Sequence, residues 1–231
     1  MPIPQFGSDS KDRSYIPRVI VEALRKSKKG KSFTTADIAQ SARTTTSGVK
    51  TSLASIVDLE DEKPILLSAS TRLRLALHAA QLGMIQEAAR ELTWQEFEAF
   101  SDECLSNNGF ETQKGIVIND SGRRWQIDLI ARKNPVLLTL DCKHWESANY
   151  SARFKTAIQH QKGSLDPLVR HLTMKGKLSE RPVCTLPLIL TLYEPRESIQ
   201  DGVVILSVGQ LPDFLEHLTP YTPELPFIVL G

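Results

Sequence analysis

Trp125–Trp145, WQIDLIARKNPVLLTLDCKHW, decides how this chain is read. Two apolar runs, Gln126–Ala131 and Val136–Leu140, flank Lys133-Asn134-Pro135. Runs of that length on either side of Asn-Pro predict a hairpin of buried strands. Each run carries ionisable groups that a buried strand has little reason to hold. Asp128 interrupts the first, and Asp141-Cys142-Lys143 follows the second. Residues two apart on a strand share a face, so Asp141 and Lys143 are expected side by side. Closing the hairpin brings Asp128 toward Asp141. Two carboxylates and an ammonium at one point of a sheet suit a divalent metal and a positioned nucleophile.

The surrounding chain has 231 residues, enough for one large domain or two small ones. Its 41% hydrophobic and 24% charged residues describe an ordinary globular protein. No run approaches the roughly 20 apolar residues of a membrane helix. The opening segment MPIPQFGSDSKDRS lacks an apolar h-region, so no secretory signal is expected. Cys104, Cys142 and Cys184 are widely spaced, with no CxxC. Such a sparse, odd set points to reduced thiols in a cytoplasmic protein and away from structural zinc.

Net charge is +1, but it alternates along the chain. Residues 1–50 hold 10 Lys/Arg against 4 Asp/Glu, and residues 113–181 hold 13 against 6. The intervening residues 51–112 hold 4 against 11, and residues 182–231 hold 1 against 6. Basic charge gathered in two blocks of a near-neutral chain suggests a polyanion touched at two places. An ordinary solvated surface is the alternative.

The first basic block follows a polar, frayed start over residues 1–14. Val19, Ile20, Ala23 and Leu24 recur at helical spacing, and Gly30 offers a stop. Thr34 or Thr35 is placed to cap a second short helix, and Ser47 a third. On the third, Val49, Leu53 and Ile56 share a face, leaving Thr44, Thr45, Lys50, Thr51 and Ser55 outside. Pro64–Leu67 reads as a short strand or wing. This pattern resembles a winged helix-turn-helix over residues 15–70, with 1–70 as its domain. In such folds the last helix enters the major groove, which implies DNA contact by Arg43, Thr45 and Lys50. A helical docking or dimerisation domain is the alternative. Residues 71–92 read as a helical connector broken at Gly83.

From Thr93 a domain over 93–231 is expected. Thr93 caps Trp94-Gln95-Glu96, and Trp94, Phe97, Phe100, Cys104 and Leu105 form an apolar face with Glu98 at its edge. Asn107-Asn108-Gly109 ends that helix. Phe110–Thr112 and Ile116–Ile118 read as strands, and Asn119-Asp120-Ser121-Gly122 as a turn. Residues 148–162 read as a helix with Phe154, Ala157 and Ile158 inward. Residues 184–192 and 203–206 read as strands, and 210–218 as a closing helix.

The order of helix with Glu98, strand, strand with Asp128, strand ending Asp141-Cys142-Lys143, helix, strand, strand and helix resembles the PD-(D/E)xK nuclease superfamily. More narrowly it is similar to Mrr-type restriction endonucleases and archaeal Holliday-junction resolvases. Glu98 matches the family's helical glutamate. Asn108-Gly109-Phe110-Glu111 matches the step into the first strand, and Ile127-Asp128-Leu129-Ile130-Ala131 the aspartate strand. Ile127 replaces the proline of the family name. Asp141 is a carboxylate where Mrr-type proteins often carry glutamine.

The resemblance covers about residues 90–220. It implies an α/β fold with a restriction endonuclease-like core, a mixed central sheet flanked by helices, behind an all-α winged helix-turn-helix. It also implies a Mg²⁺-dependent endonuclease cutting DNA, with Mn²⁺ able to substitute. Asp128, Asp141, the Cys142 carbonyl and Glu98 would serve the metal, Lys143 the attacking water, and Lys155 and Gln159 the scissile phosphate. A homodimer that cuts two strands is a further implication. His144 and Trp145 read as strand-end residues or as contacts to phosphate and base. The rival from another class is an inactive DNA-binding or regulatory protein of the same fold, and RNA remains an alternative substrate.

Overall fold

The computed structural model of the chain describes residues 15–59, 63–145, 151–178 and 183–230. The expectation for residues 1–14 and the first turn expected at 148–150 lie outside these. The chain divides into two compact units, the first ending at Leu92 and the second beginning at Thr93.

The first unit is helical among its described residues: α1 (Ile16–Lys26), α2 (Thr35–Ala42), α3 (Thr46–Leu53), α4 (Ala69–Gln81) and α5 (Ile85–Arg90). α1 buries Val19, Ile20, Val21, Ala23 and Leu24 and packs against the other four helices. Thr34 caps α2 in a reciprocal box with Asp37, satisfying two N–H groups at once. α3 starts two residues earlier than Ser47 would set it, because Thr45 accepts from the Gly48 N–H. Arg43 ends α2 in the left-handed region at φ 54°. The wing reduces to one antiparallel bridge, Phe33 with Ile65. The expected connector is part of this unit, since α4 and α5 pack on α1 and on each other. Gly83, at φ +81°, separates them.

A buried arginine ties these helices together. Arg72 on α4 is 4% exposed and donates to the Leu24 and Glu91 carbonyls, both at 2.6 Å. It also donates to the Ser27 hydroxyl. The positive head thus sits at the carbonyl ends of α1 and α5, where the helix dipoles favour a cation. Arg72→Met keeps the stem but takes the guanidinium from both carbonyls, and Leu24 alone keeps a donor in the Ser27 hydroxyl at 3.1 Å. The expected cost is about 1–3 kcal/mol, read as a lower urea midpoint, the usual cost of one buried acceptor left unsatisfied. An unchanged midpoint would contradict this role.

The second unit is a seven-stranded mixed sheet with helices. In chain order it contains α6 (Trp94–Asn107), β1 (Glu111–Asp120), β2 (Arg123–Lys133), β3 (Val136–Lys143), α7 (Ser151–Met174), β4 (Val183–Thr191), β5 (Ile199–Gln200), β6 (Val203–Ser207), α8 (Leu211–His217) and β7 (Ile228–Leu230). The sheet order is β1-β2-β3-β4-β6-β5, with β7 also on β4. β1, β2 and β3 form an antiparallel meander, whereas β3–β4 and β4–β6 are parallel. A parallel neighbour needs a long crossover, and α7 supplies it between β3 and β4. This is the mixed α/β, restriction endonuclease-like architecture expected from the sequence.

The differences have local causes. Glu111-Thr112 and Ile116–Ile118 lie along one ten-residue strand that starts just after Phe110, because Gly115 adopts φ +60° without ending the ladder to β2. Ser121 and Gly122, at φ 50° and 78°, close the β1–β2 hairpin in the paired left-handed form that two-residue turns favour. Trp94 is 59% exposed and does not join the buried face of Phe97, Phe100 and Leu105. Pro187 is tolerated in a fully buried strand because of where its missing N–H falls. The Cys184 N–H donates to the Pro135 carbonyl, so even residues of β4 bond toward β3. Odd Pro187 faces the other edge, in the gap between the β7 pairing that ends at Thr185 and the β6 pairing that starts at Leu188.

α7 runs to Met174, well beyond residue 162, passing through Gly163 and Pro167. Gly163 is needed there for space. A Cβ on it would lie 2.7 Å from the ring of Trp125, itself 7% exposed in the core. Gly163→Ala is therefore expected to destabilise this unit by about 1–3 kcal/mol, the usual cost of overpacking. A thermal melt no lower than wild type would overturn that expectation.

Candidate active site

The turn at Lys133-Asn134-Pro135 closes the β2–β3 hairpin with Lys133 opposite Val136 and Leu129 opposite Leu140. This register carries Asp128 to the end of β3. Its carboxylate accepts from the Cys142 N–H at 2.9 Å. One residue to either side, Asp141 and Lys143 share a face, with Nζ 2.6 Å from Oδ1. A cleft of about 680 Å³ opens over them, and its lining includes Asp128, Asp141 and Lys143 from the hairpin. Arg153, Thr156 and His160 of α7 form part of the facing wall.

Asp141 is 7% exposed. Burial pushes its carboxyl up to about 7. The Lys143 charge opposes the shift, and Asp128, within hydrogen-bonding reach, adds to it. Burial alone would lower Lys143, but Asp141 and Asp128 outweigh it and hold the ammonium above its ordinary range. Lys143 is thus a fixed positive charge at neutral pH. Glu98 on α6 is half-buried and raised, first by burial and then by the Asp128 charge, so it belongs to the same electrostatic group. The Cys142 side chain turns into the core, where burial drives its thiol strongly upward.

The oxygen donors fit a hard divalent cation. Two carboxylates meet at a buried point of a cleft, and a cation there would offset the burial and the Asp128 charge that raise Asp141. Among the described residues no group of three or more His, Cys, Asp or Glu is gathered as a ligand cage. Two protein oxygens with water completing the shell is the usual Mg²⁺ arrangement.

Of the other residues singled out in the sequence, Trp145 reaches the cleft and the rest fall elsewhere. Lys155 and Gln159 are exposed on α7 and are not among the residues lining the cleft. His144 packs edge-on against Phe97 of α6, with ring centroids 5.4 Å apart. Trp145 lines the cleft and packs against Phe154 at 4.8 Å. Arg43, Thr45 and Lys50 lie at or after the end of α2 and on α3 of the first unit. His160 was not legible as a site residue in the sequence. The available signal was its place beside the Phe154, Ala157 and Ile158 stripe.

Residues 89–165 match the family model of the Mrr-type catalytic domain, described as restriction endonuclease. That match spans Glu98, Asp128, Asp141, Lys143 and His160. This stretch is similar to restriction endonuclease catalytic domains. An uncharacterised protein of Archaeoglobus fulgidus is 24% identical to the chain over 139 residues, 59% of this chain and all of that protein. Two crystal structures also align. A protein of unknown function is 14% identical over 48% of this chain and 55% of its own, with TM-score 0.31. A protein from Vibrio cholerae is 10% identical over 92% of this chain and 56% of its own, with TM-score 0.40. The chain thus spans about half the length of each of these two structures. Among the described residues no helix is long and apolar enough to cross a membrane.

Proposed function

We propose that the second unit is a Mg²⁺-dependent endonuclease that hydrolyses DNA phosphodiester bonds. The observation that carries this reading is the meeting of Asp128, Asp141 and Lys143 at the floor of one cleft. Asp128 and Asp141 would hold the cation, with the Cys142 carbonyl as a further oxygen donor and Glu98 holding a metal-bound water or a second cation. A divalent ion in that position polarises a phosphoryl oxygen and makes a bound water more acidic. Lys143, charged and braced against Asp141, orients the attacking water and stabilises the negative charge that grows on the phosphorus centre. The Cys142 N–H fixes the Asp128 carboxylate beside Asp141. The first unit is inferred to place the enzyme on DNA through Arg43, Thr45 and Lys50.

A substrate panel tests this reading. Purified protein is incubated with duplex, branched, methylated and single-stranded DNA, and with RNA, in Mg²⁺, Mn²⁺, Ca²⁺ or chelator. Cleavage of at least one DNA with Mg²⁺ or Mn²⁺, and none with chelator, is expected. Binding without cleavage under every condition would favour an inactive DNA-binding protein of the same fold. Preferential cutting of RNA would move the substrate class.

A further inference from the structure

We propose that His160, paired with Arg123, is a substrate-contacting residue that donates an N–H to a phosphate oxygen of the strand lying in the cleft. This deepens the nuclease reading and rests on it. His160 stands on the α7 wall, across the cleft from Asp128, Asp141 and Lys143.

Its position is fixed from two sides. The imidazole packs on Trp125, with ring centroids 5.6 Å apart and planes at 49°. Trp125 is in turn fitted against Gly163, one turn further along α7. The next residue, Gln161, is 1% exposed, and its amide donates to the Thr139 carbonyl and, at 3.0 Å, to the Leu188 carbonyl. Thr139 lies two residues before Asp141 on the same strand. Gln161 therefore fixes the position of α7 against β3, and with it the distance from His160 to the carboxylates. A side chain held this firmly loses little conformational entropy on binding.

The chemistry of the wall selects an anion. Arg123 places its guanidinium 3.6 Å from the Trp125 ring centroid, so the indole steadies a cation beside the imidazole. With 7% exposure, Trp125 has no face left for a base to stack on. What remains is the His160 ring in the cleft with Lys143, and the Arg123 guanidinium on the Trp125 ring behind it. Burial first, then the Lys143 and Arg123 charges, lower the His160 pKa against a smaller opposing pull from Asp128. A neutral ring has one N–H to give, which suits a phosphate oxygen.

Two measurements on the full chain decide the matter. One is binding of a fluorescent duplex in Ca²⁺, and the other is plasmid cleavage in Mg²⁺. His160→Phe keeps a ring against Trp125 and removes the donor. It is expected to weaken duplex binding and raise KM about tenfold, with kcat within about threefold, the size of one lost charge-assisted hydrogen bond. His160→Asn or His160→Gln returns an N–H, and at least one should recover most of that loss. Wild-type binding and kcat/KM in His160→Phe would overturn the proposal. So would equal losses in all three variants, which would mark a packing role alone. Should His160→Phe melt below wild type, His160→Leu replaces it in the same comparison. Should wild type cut nothing, the nuclease reading fails, and the binding measurement still judges His160 by the same tenfold difference.

Discussion

Lys143→Ala is expected to slow phosphodiester cleavage by about a thousandfold in single-turnover assays while the protein stays folded. The Nζ sits 2.6 Å from Asp141 and remains charged because two carboxylates outweigh its burial. A preorganised donor aimed at developing charge contributes about 10²–10³ in rate, and removal of a group that also orients the nucleophile reaches the top of that range. Lys143→Arg should recover little. Its guanidinium is wider and planar, and it cannot replace a compact ammonium fitted between Asp141 and the cleft. A loss smaller than tenfold for the alanine variant would remove Lys143 from the chemistry.

Asp141→Asn should lose cleavage by at least as much, and it should gain stability in alkaline, metal-free buffer. The sign follows from linkage. Asp141 has its carboxyl pushed up to about 7 in the folded protein against an ordinary value of 3.8, so the folded state binds the proton more tightly than the unfolded chain. Stability then falls as pH rises from about 4 to about 7, and the whole penalty is present above 7. A shift of that size corresponds to about 2–4 kcal/mol. Asparagine carries no charge, so urea midpoints of variant and wild type should separate at pH 8 in favour of the variant and converge only near pH 4 and below. Mg²⁺ at pH 8 should raise the wild-type midpoint and leave the variant unmoved, because only a ligand that prefers the folded state stabilises it. A variant less stable than wild type at pH 8, or equal stabilisation of both by Mg²⁺, would contradict the buried-carboxylate reading.

The readability of this site in the sequence followed how local each constraint is. Asp128, Asp141 and Lys143 belong to one hairpin, so strand periodicity and a single turn were enough to bring them together. Glu98 depended on one helix whose start was marked by the Thr93–Glu96 box. α7 was harder. Gly163 and Pro167 look like helix stops, and only the long-range fit of Trp125 explains why the helix continues past the first. Its inward stripe, through Phe154, Ala157 and Ile158, has two polar flanks about equally far round the helix. One carries Arg153, Thr156 and His160, the other Lys155 and Gln159. Nothing in the residues themselves says which flank meets the hairpin, since crossover geometry decides that. The short strands β5 and β7 were not legible for a related reason. Two or three residues hold no periodicity, and their pairing with β6 and β4 is set by the tertiary fold.

The most direct measurement is the nicking rate of supercoiled plasmid in Mg²⁺ by wild type, Asp141→Asn and Lys143→Ala prepared side by side. Conversion to open circles by wild type alone is the expected result, with both variants slower by about a thousandfold. Equal nicking by all three proteins would contradict it, because cleavage would then come from outside the Asp128, Asp141 and Lys143 cluster.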